Sequence, residues 1–460
     1  MNSLTPIQFL KEVESTYDLA SIKVNNEPIW PFLRNYFATK VNNTQGREVN
    51  LTLKQKVSML PKLLYGAKHW FKKYDTIIFS NTLEKRKKGD KYYDKLFDEY
   101  AYLKKNSLII ETPIYSHFKK NELENRNICS SIPLYFGELI YSKLHYRNVI
   151  IENENILKEI CLKYKLEVNY TALAKRFLAQ QKSMRRIIKK FNPKTFVFSF
   201  SYNKQGYILE ANKENLNTIE FQHGIIDSNH IAYNLFNNYS KKQYPNFLLS
   251  YGKREKDFFD SNGNFIDSSN VFPIGHSYLD YILNNAKPSA KFKDKTKSFS
   301  KLICVSLQEI EAGFELVKKI SEISKNNPNI GFVLVPRKES EEFYRSKFNI
   351  QTNMLFFKEH NVYELIRFCN FHITVYSTCA LEALPLGTYN ILYNIENKSK
   401  IHFEWLERQN EYTRIINQNR ELIEIINNTE TKRESIIESG NQIFQSNYKQ
   451  NLINFIQQND

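Results

Sequence analysis

Phe371-His-Ile-Thr-Val-Tyr-Ser-Thr-Cys-Ala-Leu-Glu-Ala-Leu-Pro-Leu-Gly387 reads as the end of a buried strand, a tight turn and a short helix. Residues 371–376 are dense in β-branched and aromatic types, as a strand requires. Ser377 and Thr378 follow, and either is a residue type that caps a helix start. The amides exposed at such a start lie at the positive end of the helix dipole and form a natural seat for a phosphate. Glu382 lies about one turn further in, within reach of hydroxyls on a ribose attached to that phosphate. The competing reading is an ordinary capped helix with Glu382 solvated. Open α/β sheets bind ligands at the carboxyl ends of their strands, so this strand–turn–helix order points to that fold class.

The same rhythm extends outward in both directions. Short apolar runs at 301–307, 330–335, 353–357 and 388–393 alternate with helical stretches, the pattern of a parallel sheet with crossover helices. Upstream, runs at 75–81, 107–113, 195–201, 217–223, 246–252 and 270–275 make a second such series. Helical pattern dominates 153–191, and the first stretch, to about residue 70, reads as mostly helical. Within it, Pro28 and Pro31 flank Trp30 in a rigid apolar corner. Residues 284–300, rich in Lys and Ser, mark the expected linker. The expectation is an acceptor-side α/β domain over 1–283, a linker at 284–300, a nucleotide-donor domain over 301–400 and a helical tail over 401–460. Two doubly wound domains would face each other across a cleft and close about that linker.

At 460 residues, 42% hydrophobic and 14% aromatic, the chain can build two cores. Five scattered cysteines have no metal-ligand spacing and suit a reducing cytoplasm. No long uncharged apolar run and no secretory-signal layout is present, so a soluble or peripheral protein is expected. The net charge of +16 is concentrated at Lys85–Lys88, at Lys62 to Lys73, and at Arg185-Arg186 with Lys189-Lys190. Nucleic acid, anionic lipid and anionic small ligands are all compatible with such a surface, as is a generally solvated lysine-rich exterior.

Phe221-Gln-His-Gly-Ile-Ile-Asp-Ser-Asn-His230 is the second motif. A strand ending at Phe221 projects Gln222 and His223 from the sheet edge, and Gly224 allows a sharp turn or a close ligand approach. His223, with an unperturbed pKa near neutrality, is a candidate general base, and Asp227 or His230 would orient it or contact an acceptor. The alternative is a structural histidine in a tight turn. At Ile274-Gly-His-Ser-Tyr-Leu-Asp280, His276 and Ser277 stand where a strand ends, ready for ligand contact or for capping a helix. Ser306-Leu-Gln308 closes the first strand of the downstream series, placed to meet a phosphate or sugar. Arg337 follows the next one, able to neutralise a phosphate or to stand solvated. No Asp-x-Asp pair, phosphate-binding Gly-Lys loop, Gly-x-Ser-x-Gly elbow or His-Glu-x-x-His helix occurs. What remains is a transfer reaction for which neither a metal nor a further cofactor is expected.

Phe221-Gln-His-Gly224, Ile274-Gly-His-Ser-Tyr-Leu-Asp280 and Ser377-Thr-Cys-Ala-Leu-Glu-Ala-Leu-Pro-Leu-Gly387 together resemble a GT-B glycosyltransferase. More narrowly they are similar to bacterial capsule, O-antigen and teichoic-acid transferases. Ile29-Trp-Pro-Phe-Leu-Arg34 and Lys91-Tyr-Tyr-Asp94 also resemble N-terminal patterns of surface-polysaccharide proteins. The resemblance spans most of residues 20–395. It implies a CMP-, CDP- or UDP-linked donor near Ser377 and Thr378, with Glu382 on the nucleotide ribose. His223 matches the His-Gly histidine that teichoic-acid polymerases place at the reacting centre. Many relatives carry His-Pro where this chain has Val335-Pro-Arg-Lys-Glu339, so Arg337 would alter the donor or phosphate contact. The implied acceptor is a polysaccharide or lipid-linked glycan at the cytoplasmic face, with an anionic membrane surface nearby. The rivals are a nucleotide-sugar 2-epimerase-like enzyme and a non-catalytic basic nucleic-acid-binding protein. No stacking-aromatic or recognition-helix signature favours the latter, so no specific nucleic acid is expected.

Overall fold

Apolar runs too short for helices and bounded by polar turns become strands, and here they are buried on both faces. The computed structural model describes residues 4–41, 60–114, 116–125, 127–308 and 310–459. Residues 42–59 of the stretch expected to be mostly helical lie outside the described residues. The chain forms two units. One takes in the chain to Ser250 together with Arg254–Pro273 and Leu452–Asp460, and the other takes in Tyr251–Lys253 and Ile274–Asn451.

The sheet of unit 1 contains β1 (Thr76–Asn81), β2 (Ser107–Thr112), β3 (Ile128–Ser130), β4 (Thr195–Phe198), β5 (Asn217–Phe221), β6 (Phe247–Ser250) and β7 (Val271–Pro273). All pair in parallel, in the order β7-β6-β5-β4-β1-β2-β3. Ile77, Ile78, Leu108 to Ile110 and Phe196 to Phe198 are buried, as helix-covered parallel strands demand. Phe79 stacks on Phe198 with centroids 5.1 Å apart, and Met184, Ile187 and Phe191 of the helix Tyr170–Phe191 close over that face.

Unit 2 repeats the plan with β8 (Lys301–Ser306), β9 (Ile330–Val335), β10 (Met354–Leu355), β11 (Phe371–Thr374), β12 (Tyr389–Tyr393) and β13 (Thr413–Ile416). Their parallel order is β10-β9-β8-β11-β12-β13. In each unit the order reverses beside the first strand, between β1 and β4 and between β8 and β11. At such a reversal the loops leave in opposite directions and open a crevice at the carboxyl ends.

Two boundaries differ from the sequence reading. The chain passes from unit 1 to unit 2 after Pro273, not within 284–300. That stretch contains the last residues of the helix Ser277–Asn285 and the whole helix Ala290–Thr296, with Phe292 buried, so its lysines are the solvated faces of packed elements. The expected helical tail over 401–460 includes β13, and its last residues return to unit 1, where Phe455 packs edge-on against Phe247 and Phe272. The basic run Lys85–Lys88 is likewise not all surface. Lys85 is buried 3.4 Å from both Asp94 and Glu111, and Ser80 of β1 donates to Asp94 at 2.6 Å. Among the described residues no helix is long and apolar enough to cross a membrane.

Candidate functional site

In unit 1, polar and aromatic groups converge at the carboxyl ends of β4 and β5. His223 lies two residues past β5, and its Nε2 is 3.0 Å from the Tyr202 hydroxyl. The Phe200 ring is 5.4 Å away. Burial, reinforced by the nearby His230, Lys204 and Lys95, holds the imidazole down at about 4, so it is neutral at physiological pH. It is thus a weaker base than an unperturbed histidine. Beneath it Glu220 is fully buried in β5. It accepts from the Ser201 amide at 3.1 Å and from the Tyr233 hydroxyl, and desolvation lifts its carboxyl to about 7. Lys204 donates to the Phe200 carbonyl and stands 3.6 Å over that ring; burial lowers its ammonium to about 7.

Asp227 does not join His223. Its Oδ1 accepts from the Asn229 amide at 2.9 Å in a local turn, and its charge acts on His230. His230 packs 4.7 Å from Tyr233 and 6.1 Å from Tyr202, and its Nδ1 accepts from the Ala232 amide. Gln222 is buried, donating to the Gly224 carbonyl and to Glu255 at 3.1 Å, so it braces the loop from below. Gly224 is not demanded by the turn: a Cβ there would meet nothing within 4 Å.

The N-terminal motif supports this loop. Arg34 and Glu14 form a fully buried ion pair at 2.7 Å. Arg34 also donates to the carbonyls of Ile231 and Asn234, while Glu14 accepts from Trp30 Nε1 at 3.1 Å and from the Phe236 amide at 2.9 Å. A charged group that satisfies backbone groups on both sides of a loop fixes its path. The Trp-Pro-Phe-Leu-Arg corner therefore sets where His230 and Tyr233 stand.

In unit 2 the loops leaving β8 and β11 meet at the strand-order reversal. Gln308 accepts from the Tyr376 amide at 3.2 Å, and Thr374 donates to the Ser306 carbonyl at 3.1 Å. The helix after the turn is only Cys379–Glu382, so its dipole is small. Ser377 accepts from the Cys379 amide at 3.3 Å; Thr378 is exposed and makes no capping bond. Glu382 is turned inward, accepting from Tyr363 at 3.2 Å, so it is neither solvated nor at the surface. Ser306 is buried and bonded to His372 Nε2 at 2.8 Å, whose Nδ1 meets Asn390 at 3.0 Å; burial lowers that histidine to about 4. Ser306, Ser377 and Glu382 all neighbour Cys379, whose thiol burial pushes up to about 12.

His276 is a helix cap: its Nδ1 accepts from the amides of Tyr278 and Leu279 at 3.2 and 3.3 Å, leaving Ser277 as the first helical residue. Both are buried. The next residue, Tyr278, packs against Tyr363, the tyrosine that bonds to Glu382. Arg337 is exposed two residues beyond β9. Among the described residues no three His, Cys, Asp or Glu side chains gather as metal ligands.

No protein-family model and no curated protein matches this sequence. Solved structures do resemble it. The UDP-GlcNAc 2-epimerase from Methanocaldococcus jannaschii is 12% identical with a TM-score of 0.51, covering 83% of this chain and 99% of that one. S. aureus MnaA, in a co-structure with UDP, is 11% identical at 0.50, covering 83% and 96%. CalG4, the calicheamicin glycosyltransferase, is 11% identical at 0.50, covering 84% and 98%. The fold is GT-B-like. Identities this low carry the architecture of two Rossmann-like units and nothing finer.

Tyr202, Lys204, Glu220 and Tyr233 escaped the sequence reading, as did Tyr363. One signal was available for Glu220: a carboxylate inside the apolar run Thr218-Ile-Glu-Phe221 has to be buried and paired. Tyr202 and Lys204 follow β4 as Gln222 and His223 follow β5, so the same strand-end logic reaches them.

Proposed function

We propose that the chain is a nucleotide-sugar enzyme. Its favoured reaction is glycosyl or polyol-phosphate transfer from a CMP-, CDP- or UDP-linked donor to a bacterial surface polysaccharide or lipid-linked acceptor on the cytoplasmic face. The observation that carries this reading is the strand order of unit 2. It reverses between β8 and β11, and the loops leaving those strands bear Gln308, Ser377 and Thr378, where open α/β sheets hold nucleotides. In this reading Thr378 and the turn amides receive the phosphate, and Arg337 neutralises it as the nucleotide departs. His223, neutral at working pH, takes the proton of the acceptor hydroxyl while Tyr202 orients its ring. Asp227 keeps the loop turn rather than a role in proton transfer. Glu382 acts through Tyr363 as a positioning group instead of meeting the ribose directly.

A 2-epimerase reading stands beside it, because the UDP-GlcNAc 2-epimerase named above shares the fold. Thermal unfolding with CMP, CDP, UDP, GDP and their sugar conjugates tests the nucleotide site. A ligand at about a hundred times its Kd adds about 2.7 kcal/mol. Stabilisation by one nucleotide that is lost in Thr378→Glu, which sets a negative charge on an exposed position, supports the reading. No shift with any nucleotide overturns it. Turnover of the stabilising sugar nucleotide without any acceptor would decide for epimerisation over transfer.

A further inference from the structure

We propose that unit 1 docks on an anionic lipid bilayer through an apolar patch ringed by lysine and arginine. The inference goes beyond the reaction proposed above and holds whichever nucleotide sugar is used. Large apolar side chains stand in solvent: Leu64 is 77% exposed, Phe71 86%, Ile140 51% and Leu144 73%. They come from two stretches of chain, 60–71 and 132–145, with Phe71 closing the short turn Ala67–Phe71. Leu60–Leu64 packs against the helix Ile132–Ile140, which runs on through a π-helical turn, Tyr141–His145.

The helix Tyr170–Phe191 ties these segments to a stripe of cations. Lys182, Arg186, Lys189 and Lys190 recur at helical spacing on one face. Lys182 and Arg186 stand over the Tyr141 ring, 5.0 and 4.4 Å from its centroid, beside Ile140 and Leu144. Lys190 stands 5.3 Å over Phe71, and Lys73 bonds to the Lys190 carbonyl at 2.6 Å. Aliphatic and aromatic groups are thus held in one surface with cations at their edge.

Charge names the occupant. Residues 60–73, 132–147 and 170–191 hold four, two and seven Lys or Arg, and their one acid is Glu138. Glu138 is turned inward to accept from the Tyr207 hydroxyl. Arg185, beside the stripe on the same helix, is neutralised by Glu210 at 3.1 Å. Phosphates alone would need the cations but not exposed Leu, Ile and Phe. An interface of anionic headgroups over acyl chains uses both.

Flotation with vesicles of phosphatidylcholine alone, or with one lipid in three replaced by phosphatidylglycerol, tests this on the full chain. Capture by the anionic vesicles alone, weakened by salt, is expected. Each basic residue near such a surface contributes about fivefold, so Lys189→Ala with Lys190→Ala should cost about 30-fold. Phe71→Ser with Leu144→Ser should cost at least about tenfold, since inserted apolar area is lost. Both pairs sit at exposed positions and should unfold at the wild-type temperature. Absence of wild-type capture overturns the proposal. So does loss in the charge variant alone with equal capture of duplex DNA, which would mark a general polyanion surface.

Discussion

Replacing Arg34 by Met is the sharpest test of how the N-terminal corner builds the unit 1 site. The guanidinium and the Glu14 carboxylate are 2.7 Å apart with side chains 1% and 0% exposed, so water screens neither. Removing Arg34 leaves a buried charge whose remaining donors, among the described residues, are Trp30 Nε1 and the Phe236 amide, and strips the Ile231 and Asn234 carbonyls of theirs. Breaking such a pair from one side costs about 3–5 kcal/mol. With a urea slope of about 3 kcal/mol/M, the unfolding midpoint of unit 1 should fall by about 1–2 M. The double change Glu14→Gln with Arg34→Met removes both charges and should cost less than Arg34→Met alone. Circular dichroism against urea, with Trp30 fluorescence reporting the corner, measures all three. A cost below about 1 kcal/mol for Arg34→Met, or a double variant no more stable than it, refutes the reasoning.

Two further outcomes follow from unit 2 and from its contrast with unit 1. His372 is held at about 4, below its unfolded value near 6.5, so the folded chain binds fewer protons. Its contribution is complete above pH 6.5 and is lost as pH falls towards 4, about 2 kcal/mol of it between pH 7 and pH 5. Urea midpoints at the two pH values should show that drop, and His372→Asn should flatten it. Gly275 has φ +91°, and a Cβ there would lie 2.1 Å from the Gln445 carbonyl, whereas Gly224 faces open space. Gly275→Ala should therefore cost about 2 kcal/mol or more, and Gly224→Ala should change stability by less than about 0.5 kcal/mol, both read by thermal unfolding.

What the sequence by itself determined was the class of the fold. Central parallel strands are covered on both faces, so β1, β2, β4, β8 and β9 carry apolar runs that no amphipathic helix would show. Strand ends were legible for the same reason, since a polar residue after such a run has to leave the sheet: His223 and Ser377 follow β5 and β11, whereas Ser306 is the last, buried residue of β8. Two edge strands were not: Ile128–Ser130 is three residues long, and Thr413–Ile416 is interrupted by Arg414, so their pairing comes from the neighbouring strand rather than from local pattern. The domain passage after Pro273 was hidden because lysine-rich helices and true linkers share a composition.

Only the tertiary structure decided what each polar group does. Arg34 meets a carbonyl 197 residues away, Ser306 meets a histidine 66 residues away, and neither separation leaves a local signal. The partners then set the chemistry. Burial among rings makes His223 neutral, and the same desolvation raises the Glu220 carboxyl to about 7. Composition supplies the ionisable groups, but the water each one loses depends on how the whole chain packs around it.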